Sequence, residues 1–267
     1  MNGKLRKILM AVLAAVFVTG IGLTLYQNHQ YAQAQQLQDK AQQLVQAPQT
    51  KPVEILPEPD TPLAPAPEMD ENAKAMAELD IAALQAENSD VLGWITIPDT
   101  KISYPLMAAD SPDEYLHTAW DGSYNYAGSI YLECQNDREF SDFHSLIYGH
   151  NMANGTMFGN LILYKDQAFR DAHPYVYIVS GGQIRRYEIF AAYEAEVASD
   201  TYCIGFQTTS RKKQAIDYYL SRSVITAEVV PAPEDSIITL STCTGFGDYD
   251  HRWVVQAVLD AQWTIAQ

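Results

Sequence analysis

A cysteine and an arginine lie nine residues apart, at the junction of two apolar stretches. Residues 237–240, Ile-Ile-Thr-Leu, predict a strand that ends near Cys243. Residues 245–250 predict a turn-rich loop, and residues 253–259 predict a second strand that begins just after Arg252. A thiol at the end of a rigid strand can act as a nucleophile, and a guanidinium offers fixed donors to a developing oxyanion. If the two strands are neighbours, both groups lie at the same rim.

A histidine at the end of another apolar stretch supplies the base that such a thiol needs. Residues 145–151, Ser-Leu-Ile-Tyr-Gly-His-Asn, predict a short strand followed by a loop. A free cysteine has a pKa of ~8.5, so His150 beside Cys243 would act as its base or form a thiolate–imidazolium pair. Spacing alone also allows a buried, inert cysteine and a histidine that bonds only backbone. His251 is a rival base, which strand alternation points away from Arg252.

Three separated motifs resemble those of the sortases, the cysteine transpeptidases of Gram-positive cell surfaces. Residues 239–243, Thr-Leu-Ser-Thr-Cys, resemble the TLxTC signature, and residues 148–152, Tyr-Gly-His-Asn-Met, resemble the histidine motif. Arg252 falls where the family carries an arginine. The match runs in order from about residue 68 to residue 259. Further stretches are similar to class B sortases in particular: residues 88–98, 101–105 and 157–161.

The resemblance implies a role for each of the three residues. Cys243 would be the nucleophile, His150 the general acid and base, and Arg252 the group that stabilises the oxyanion or the substrate. The enzyme would cleave a C-terminal sorting signal of the NPxTx kind through a thioacyl intermediate and pass the surface protein to an amine of the peptidoglycan precursor. No cofactor and no metal are expected. A salt bridge from Arg252 to Asp248 or Asp250 is the competing interpretation of the arginine.

Residues 194–224 are expected to bind the sorting signal. Long segments with their own structure inside compact domains are usually functional. The resemblance implies that class B sortases use the equivalent loop for the first residues of the signal, with Leu116 on the opposite wall. The candidate substrate-binding residues are Leu116, Thr201, Tyr202, Ile204, Ser241 and Thr242.

The elements that must position these residues are mostly short strands. Strands are predicted over residues 92–97, 102–107, 128–132, 175–180 and 184–193, besides the three named above, and their turn signals favour a β-barrel or sandwich. Helical spacing is predicted over residues 69–87, with Asp70 as the N-cap, around 157–164, and over 211–222. The resemblance implies a mainly β fold, an eight-stranded sortase-type barrel with an N-terminal helix and a helix inserted before the strand that bears Cys243.

The N-terminal part predicts a membrane anchor. Residues 1–7 carry three basic residues, and residues 8–26 form an apolar run without a charge, close to the ~20 residues that span a bilayer. The N-terminus is therefore expected in the cytoplasm and the catalytic domain, residues 68–267, outside the cell. Residues 27–67 are expected to form a Gln/Ala-rich helical stalk with little to bury, followed by a Pro-rich spacer. A signal peptide cleaved after residues 32–34, Ala-Gln-Ala, is the alternative.

Charge and cysteine content limit the partners. The chain has 17 Lys and Arg against 33 Asp and Glu, a net charge of −16, which argues against nucleic acid as a partner. Of the three cysteines, Cys134 and Cys203 are expected as free thiols, with a disulfide between them as the alternative. The expected partners are surface proteins with a sorting signal, the peptidoglycan amine and the membrane.

Three other functions remain open at this point. A thiol hydrolase or peptidase of the same fold would give the acyl group to water instead of an amine. A pilin-polymerising sortase would give it to another surface subunit. A non-catalytic, membrane-anchored binding domain would need none of the three motif residues.

Overall fold

The strands form a closed barrel. The computed structural model describes residues 3–46, 68–244 and 250–265. The strands are β1 (Val91–Thr96), β2 (Ser103–Ala108), β3 (Ile130–Leu132), β4 (His144–Tyr148), β5 (Tyr175–Ser180), β6 (Gln183–Glu196), β7 (Ile237–Cys243) and β8 (His251–Thr264). Within the described residues their order is β1-β2-β3-β4-β7-β8-β6-β5, and β1 pairs with β5 to close an eight-stranded barrel. The predicted fold class is confirmed.

The two-residue period of β7 places Cys243 on the outer face of the barrel. Ile238 and Leu240 join the cluster that fills the interior, whereas Ile237 joins a separate cluster outside. Successive side chains of a strand point to opposite faces. Thr239, Ser241 and Cys243 therefore project from the barrel and not into it.

The helices lie around the barrel, and one prediction about them is wrong. The single helix expected over residues 69–87 is two helices, because Asp80 starts a new one by accepting a hydrogen bond from the Ala83 amide at 3.1 Å. Asp70 is confirmed as the N-cap of the first. The α-helices are α1 (Gly3–Val45), α2 (Glu71–Ala77), α3 (Ile81–Glu87), α4 (Gln167–Ala172) and α5 (Thr209–Arg222), and 3-10 turns cover Gly159–Lys165 and Asp200–Tyr202.

Helix α1 packs on the barrel with its C-terminal part, which differs from the expected stalk. Ala41 is fully buried, and the Trp120 indole donates a hydrogen bond to the Leu37 carbonyl at 2.9 Å. Lys40 lies 3.1 Å from a carboxylate oxygen of Glu87. The small side chains of the Gln/Ala-rich stretch let the helix come close to the domain, so this stretch buries surface although it carries few large apolar residues.

The Pro-rich stretch at residues 47–67 lies outside the described residues, but its flanks define what it connects. Val45 and Met69 belong to the same apolar cluster. The Asp80 amide also donates a hydrogen bond to the Val45 carbonyl at 3.0 Å. Because both flanks are attached to one face of the domain, the length of this stretch does not set the distance between α1 and the barrel. The expected role of this stretch as a spacer stays a prediction.

The docking of α1 can be tested with one charged substitution. Ala41→Asp would bury an unpaired carboxylate, which costs about 3 kcal/mol or more and corresponds to at least about a hundredfold loss of amide protection. Hydrogen exchange over residues 31–45 of the full chain in detergent measures this loss. Gln43→Asp is the matched control, because Gln43 is exposed on the same helix. Equal protection in the two variants would show that α1 is not docked.

An outer layer covers β6, β7 and β8 and contains a fully buried histidine. The layer consists of α5 and the segment before it. His144 of β4 lies beneath it, where its Nδ1–H donates a hydrogen bond to the Cys203 carbonyl at 2.9 Å. Its Nε2 accepts one from the Thr239 hydroxyl at 2.7 Å. Burial lowers the pKa of His144 from 6.5 to about 4, so the ring is neutral at physiological pH.

The buried neutral His144 predicts a pH-dependent stability. Between pH 6.5 and 4 the unfolded chain binds a proton that the folded chain does not, so the stability contribution is present above pH 6.5 and is lost as the pH falls. The full shift corresponds to about 3 kcal/mol. We expect denaturant unfolding at pH 7 and pH 4 to show this loss in the wild type, and His144→Gln to reduce it. The exposed His29, replaced by Gln, is the control. An unchanged pH dependence in His144→Gln would contradict the assignment.

Candidate active site

Cys243 and Arg252 are direct partners across two neighbouring strands. In the antiparallel register of β7 and β8, the Cα of Cys243 is paired with that of Arg252. Both side chains are half-buried, and the Arg252 guanidinium donates a hydrogen bond to the His251 carbonyl at 2.8 Å. The neighbouring strands expected from the sequence are thus observed. Of the two acids expected as competing partners of Arg252, Asp248 lies outside the described residues, and Asp250 lies within them and is exposed.

His150 is held on both sides to the strand end that bears the thiol. The Gly149 amide donates to the Ser241 carbonyl at 3.2 Å, and the Asn151 side-chain amide donates to the Cys243 carbonyl at 2.8 Å. A Cβ at position 149 would lie 2.4 Å from Cδ1 of Ile130 and 2.8 Å from Cδ2 of the buried Phe158, so a larger residue there would displace these side chains. His150 therefore lies beyond the end of β4, and its backbone is fixed relative to β7.

The contacts of the His150 ring define which nitrogen carries the hydrogen. Nε2 lies 2.7 Å from the Leu116 carbonyl, which can only accept, so we assign the hydrogen to Nε2 and the lone pair of the neutral ring to Nδ1. The ring stacks on His117 and Tyr126, with centroids 5.5 Å and 6.2 Å away. Burial lowers the pKa of His150, the bond to Leu116 opposes this effect, and the nearby His117 adds to it. The neutral imidazole can accept a proton.

One cleft of about 330 Å³ brings the three residues together. Cys243, His150 and Arg252 all line it. It also contains residues that the sequence did not single out, because they are distant in the chain and carry no motif of their own. Tyr131 and Glu133 belong to this group. Asn151 was part of the histidine motif, but its bond to Cys243 becomes visible only in the structure.

The structure places four of the six candidate substrate-binding residues at the cleft: Leu116, Tyr202, Ser241 and Thr242. The Tyr202 hydroxyl lies 2.9 Å from the Ser241 hydroxyl, and burial raises the pKa of Tyr202 to about 12, so the phenol stays protonated. The Thr242 hydroxyl is buried and has no hydrogen-bond partner among the described residues.

Thr201 and Ile204 are not brought to the cleft. Thr201 is fully buried, and its hydroxyl lies 3.0 Å from that of Tyr193 in β6. Ile204 is half-buried and does not line the cleft formed by the described residues. The sequence located the correct segment, but it could not show which of its side chains turn inward.

The other two cysteines are free thiols, as expected from the sequence. Cys134 lines the same cleft as Cys243 and donates to a Glu133 carboxylate oxygen at 3.1 Å. This hydrogen bond raises the pKa of the Cys134 thiol and lowers its thiolate fraction. The sulfur of Cys203 lies 3.8 Å from a carboxylate oxygen of Asp200. Neither environment activates a nucleophile.

Comparison with known proteins agrees with this geometry. Residues 95–260 match the family model of the sortase domain. The chain is 40% identical over 179 residues to Sortase B of Listeria monocytogenes, which covers 66% of this chain and 72% of the relative. Among solved structures, sortase B of B. anthracis in complex with AAEK1 has a TM-score of 0.68 at 26% identity, covering 87% of this chain and 99% of that one.

A second solved structure is informative because of its ligand. The Staphylococcus aureus sortase B–substrate complex has a TM-score of 0.64 at 26% identity and covers 68% of this chain and 84% of that one. The sequence match, the shared barrel and the Cys243 strand all agree. The chain therefore belongs to the sortase family of cysteine transpeptidases and is of the class B type.

Proposed function

We propose that Cys243 attacks the scissile carbonyl of a C-terminal sorting signal and that the acyl group then passes to an amine of the peptidoglycan precursor. The observation that carries this assignment is the attachment of the His150 segment to the strand end of Cys243, whose direct cross-strand partner is Arg252. The segments that carry the base, the nucleophile and the cation are thereby fixed to one another before a substrate binds, which favours catalysis.

Each of the three groups has one role in the proposed reaction: Cys243 forms the bond to the substrate, His150 moves the protons and Arg252 stabilises the oxyanion. His150 takes the thiol proton, the Cys243 sulfur bonds to the carbonyl carbon, and the negative charge moves to the carbonyl oxygen beside Arg252. The protonated His150 gives its proton to the leaving amine when the C–N bond breaks, which leaves a thioester. The neutral nitrogen of an acceptor amine then attacks the thioester carbon and gives a proton to His150. The C–S bond breaks, and the released Cys243 thiolate takes the proton back from His150, which restores the enzyme. The Leu116 carbonyl keeps the ring in one orientation throughout.

The shape of the cleft supports an extended peptide as the substrate. Leu116 and Tyr202 both line it, with Ser241 and Cys243 from β7. Related enzymes have been solved in two relevant complexes: an S. aureus sortase B with a substrate, and a sortase B with Gly3. The NPxTx pattern and the surface-protein partners rest on the resemblance of the sequence to class B enzymes.

The N-terminal helix supports a membrane location. One helix in the described residues, Lys4–Val45, is long and apolar enough to span a bilayer, with a mean hydropathy of 2.5 over its most apolar window. We propose a single pass with the N-terminus in the cytoplasm. Tyr31 packs on the barrel. Residues 26 and 31 are about 7 Å apart along the helix axis, so the catalytic domain would lie close to the end of the membrane-spanning segment. N-terminal sequencing tests this: a mature protein that begins at Gln35 would contradict the anchor.

Product analysis tests the proposed transfer. With an NPxTx peptide, the wild type should give a ligated product when triglycine is present, and Cys243→Ala should give none.

Arg252→Lys keeps the charge but loses the planar pair of donors, so we expect kcat/KM to fall about a hundredfold. Cys203→Ala is the control and should retain most activity. Hydrolysis without ligation at high triglycine would favour the thiol hydrolase, and near-normal turnover in Arg252→Lys would assign the arginine a structural role.

Asn151 provides a test of how the nucleophile is held. Asn151→Ala removes the hydrogen bond to the Cys243 carbonyl, and a bond of this kind contributes about 1 kcal/mol. We expect kcat to fall about fivefold to tenfold with little change in the peptide KM, because the backbone of the nucleophile is released and no substrate contact is lost. The exposed Asn154, replaced by Ala, is the control. Equal kinetics in the two variants would contradict this role.

A further inference from the structure

Residues 201–203, in the segment before α5, are each hydrogen-bonded to a different strand. Thr201 bonds to Tyr193 of β6 at 3.0 Å. Tyr202 bonds to Ser241 of β7 at 2.9 Å. The Cys203 carbonyl accepts from Nδ1 of His144 in β4 at 2.9 Å. Of these three residues, Tyr202 is the one that lines the cleft, so its neighbours hold it in place from both sides.

We propose that His144 is a positioning residue for the wall of the cleft that residues 201–203 form, here called the peptide-binding wall. Its Nδ1–H fixes the Cys203 carbonyl and thereby keeps Tyr202 in the cleft. The part of the proposal that concerns the sorting peptide rests on the proposed function. His144 itself does not line the cleft formed by the described residues. It therefore acts through Tyr202 and touches neither the substrate nor the three reacting groups.

The hydrogen-bond chain around His144 permits one direction only. The Cys203 carbonyl cannot donate, so Nδ1 must carry the hydrogen and Nε2 of the neutral ring must accept. The Thr239 hydroxyl supplies that proton at 2.7 Å and in turn accepts from the Gln256 amide at 2.9 Å. Thr239 and Gln256 thus select the tautomer that can hold the segment. The hydroxyl of Thr239, the first residue of the TLxTC-like motif, therefore has a structural role.

Aromatic side chains shield the His144 ring from solvent. His144 is 1% exposed, and its ring lies 5.6 Å from that of Tyr219 in α5 and 6.2 Å from that of Phe206. Asp142 is the charged group that acts on it electrostatically. The donor side of the bond is fully buried, so its loss should measurably weaken the attachment of the half-buried Cys203. Burial also keeps the ring neutral, which the donor–acceptor pattern requires.

Two substitutions of His144 separate the donor from the bulk of the ring. In His144→Asn, the side-chain amide nitrogen takes the place of Nδ1 and can still donate to Cys203. In His144→Gln, the amide reaches the place of Nε2 near Thr239 and leaves the Cys203 carbonyl without its donor. We expect the KM for an NPxTx peptide to rise about tenfold in His144→Gln and less than about threefold in His144→Asn. The KM for triglycine and the rate at which iodoacetamide alkylates Cys243 should stay unchanged in both.

Several results would overturn the proposal. An equal rise of the peptide KM in the two variants would show that the ring serves only as packing. A parallel loss in the alkylation of Cys243 would show a general disturbance of the site. A double-mutant cycle with Tyr202→Phe should give non-additive effects on the peptide KM, whereas additive effects would separate His144 from the wall.

Hydrogen exchange keeps the test independent of folding failures and of the substrate assignment. If His144→Gln does not fold, amide exchange over residues 200–206 in His144→Asn decides the matter. Exchange within about threefold of the wild type supports the proposal, and exchange raised about tenfold or more overturns it. If the wild type does not cleave the peptide, the proposed sorting signal is wrong, but this exchange comparison still tests whether His144 holds the wall.

Discussion

The backbone hydrogen-bonding capacity of β7 at its C-terminal end is the constraint on which the site depends. One edge of the strand pairs with β8 and sets Arg252 opposite Cys243. The other edge pairs with β4 and then, past its end, accepts from Gly149 and Asn151 on either side of His150. The backbone of β7 thus positions the three functional groups, through strand pairing with β8, the amide of Gly149 and the side-chain amide of Asn151.

The inner face of the barrel forms the apolar core, and its outer face at β7 carries the functional side chains. Its interior is filled by apolar side chains, including Ile238 and Leu240 from β7, which keep the strand straight and rigid. Its outer face at β7 carries Thr239, Ser241 and Cys243, each of which is engaged or reactive. Helix α1 supports the opposite wall, because Leu37 accepts from Trp120, in the segment between Leu116 and β3. Helix α1 and the segment before α5 therefore support two walls of one cleft.

Sequence patterns predicted the elements with a strong local signal and missed those decided by packing. The strands, the helix α5 and the trio of Cys243, His150 and Arg252 follow from periodicity and motif order. The docking of α1 does not, because a Gln/Ala-rich stretch shows no apolar stripe, and small residues such as Ala41 bury well only against a matching surface. Thr201 was expected at the cleft, but the phase of a short 3-10 turn, which turns it inward, cannot be deduced from residue types. His144 carried no motif at all.

The central claim is that Cys243 is the nucleophile of an acyl transfer whose intermediate is a thioester. Intact-protein mass spectrometry of the enzyme incubated with an NPxTx peptide, without an amine and with rapid acid quenching, tests it most directly. If Cys243 is the nucleophile, the enzyme gains a mass equal to the N-terminal part of the peptide, which is located on the Cys243 peptide after digestion and is removed by triglycine. An adduct on Cys134 or Cys203, or turnover without any adduct in the same time range, would contradict it.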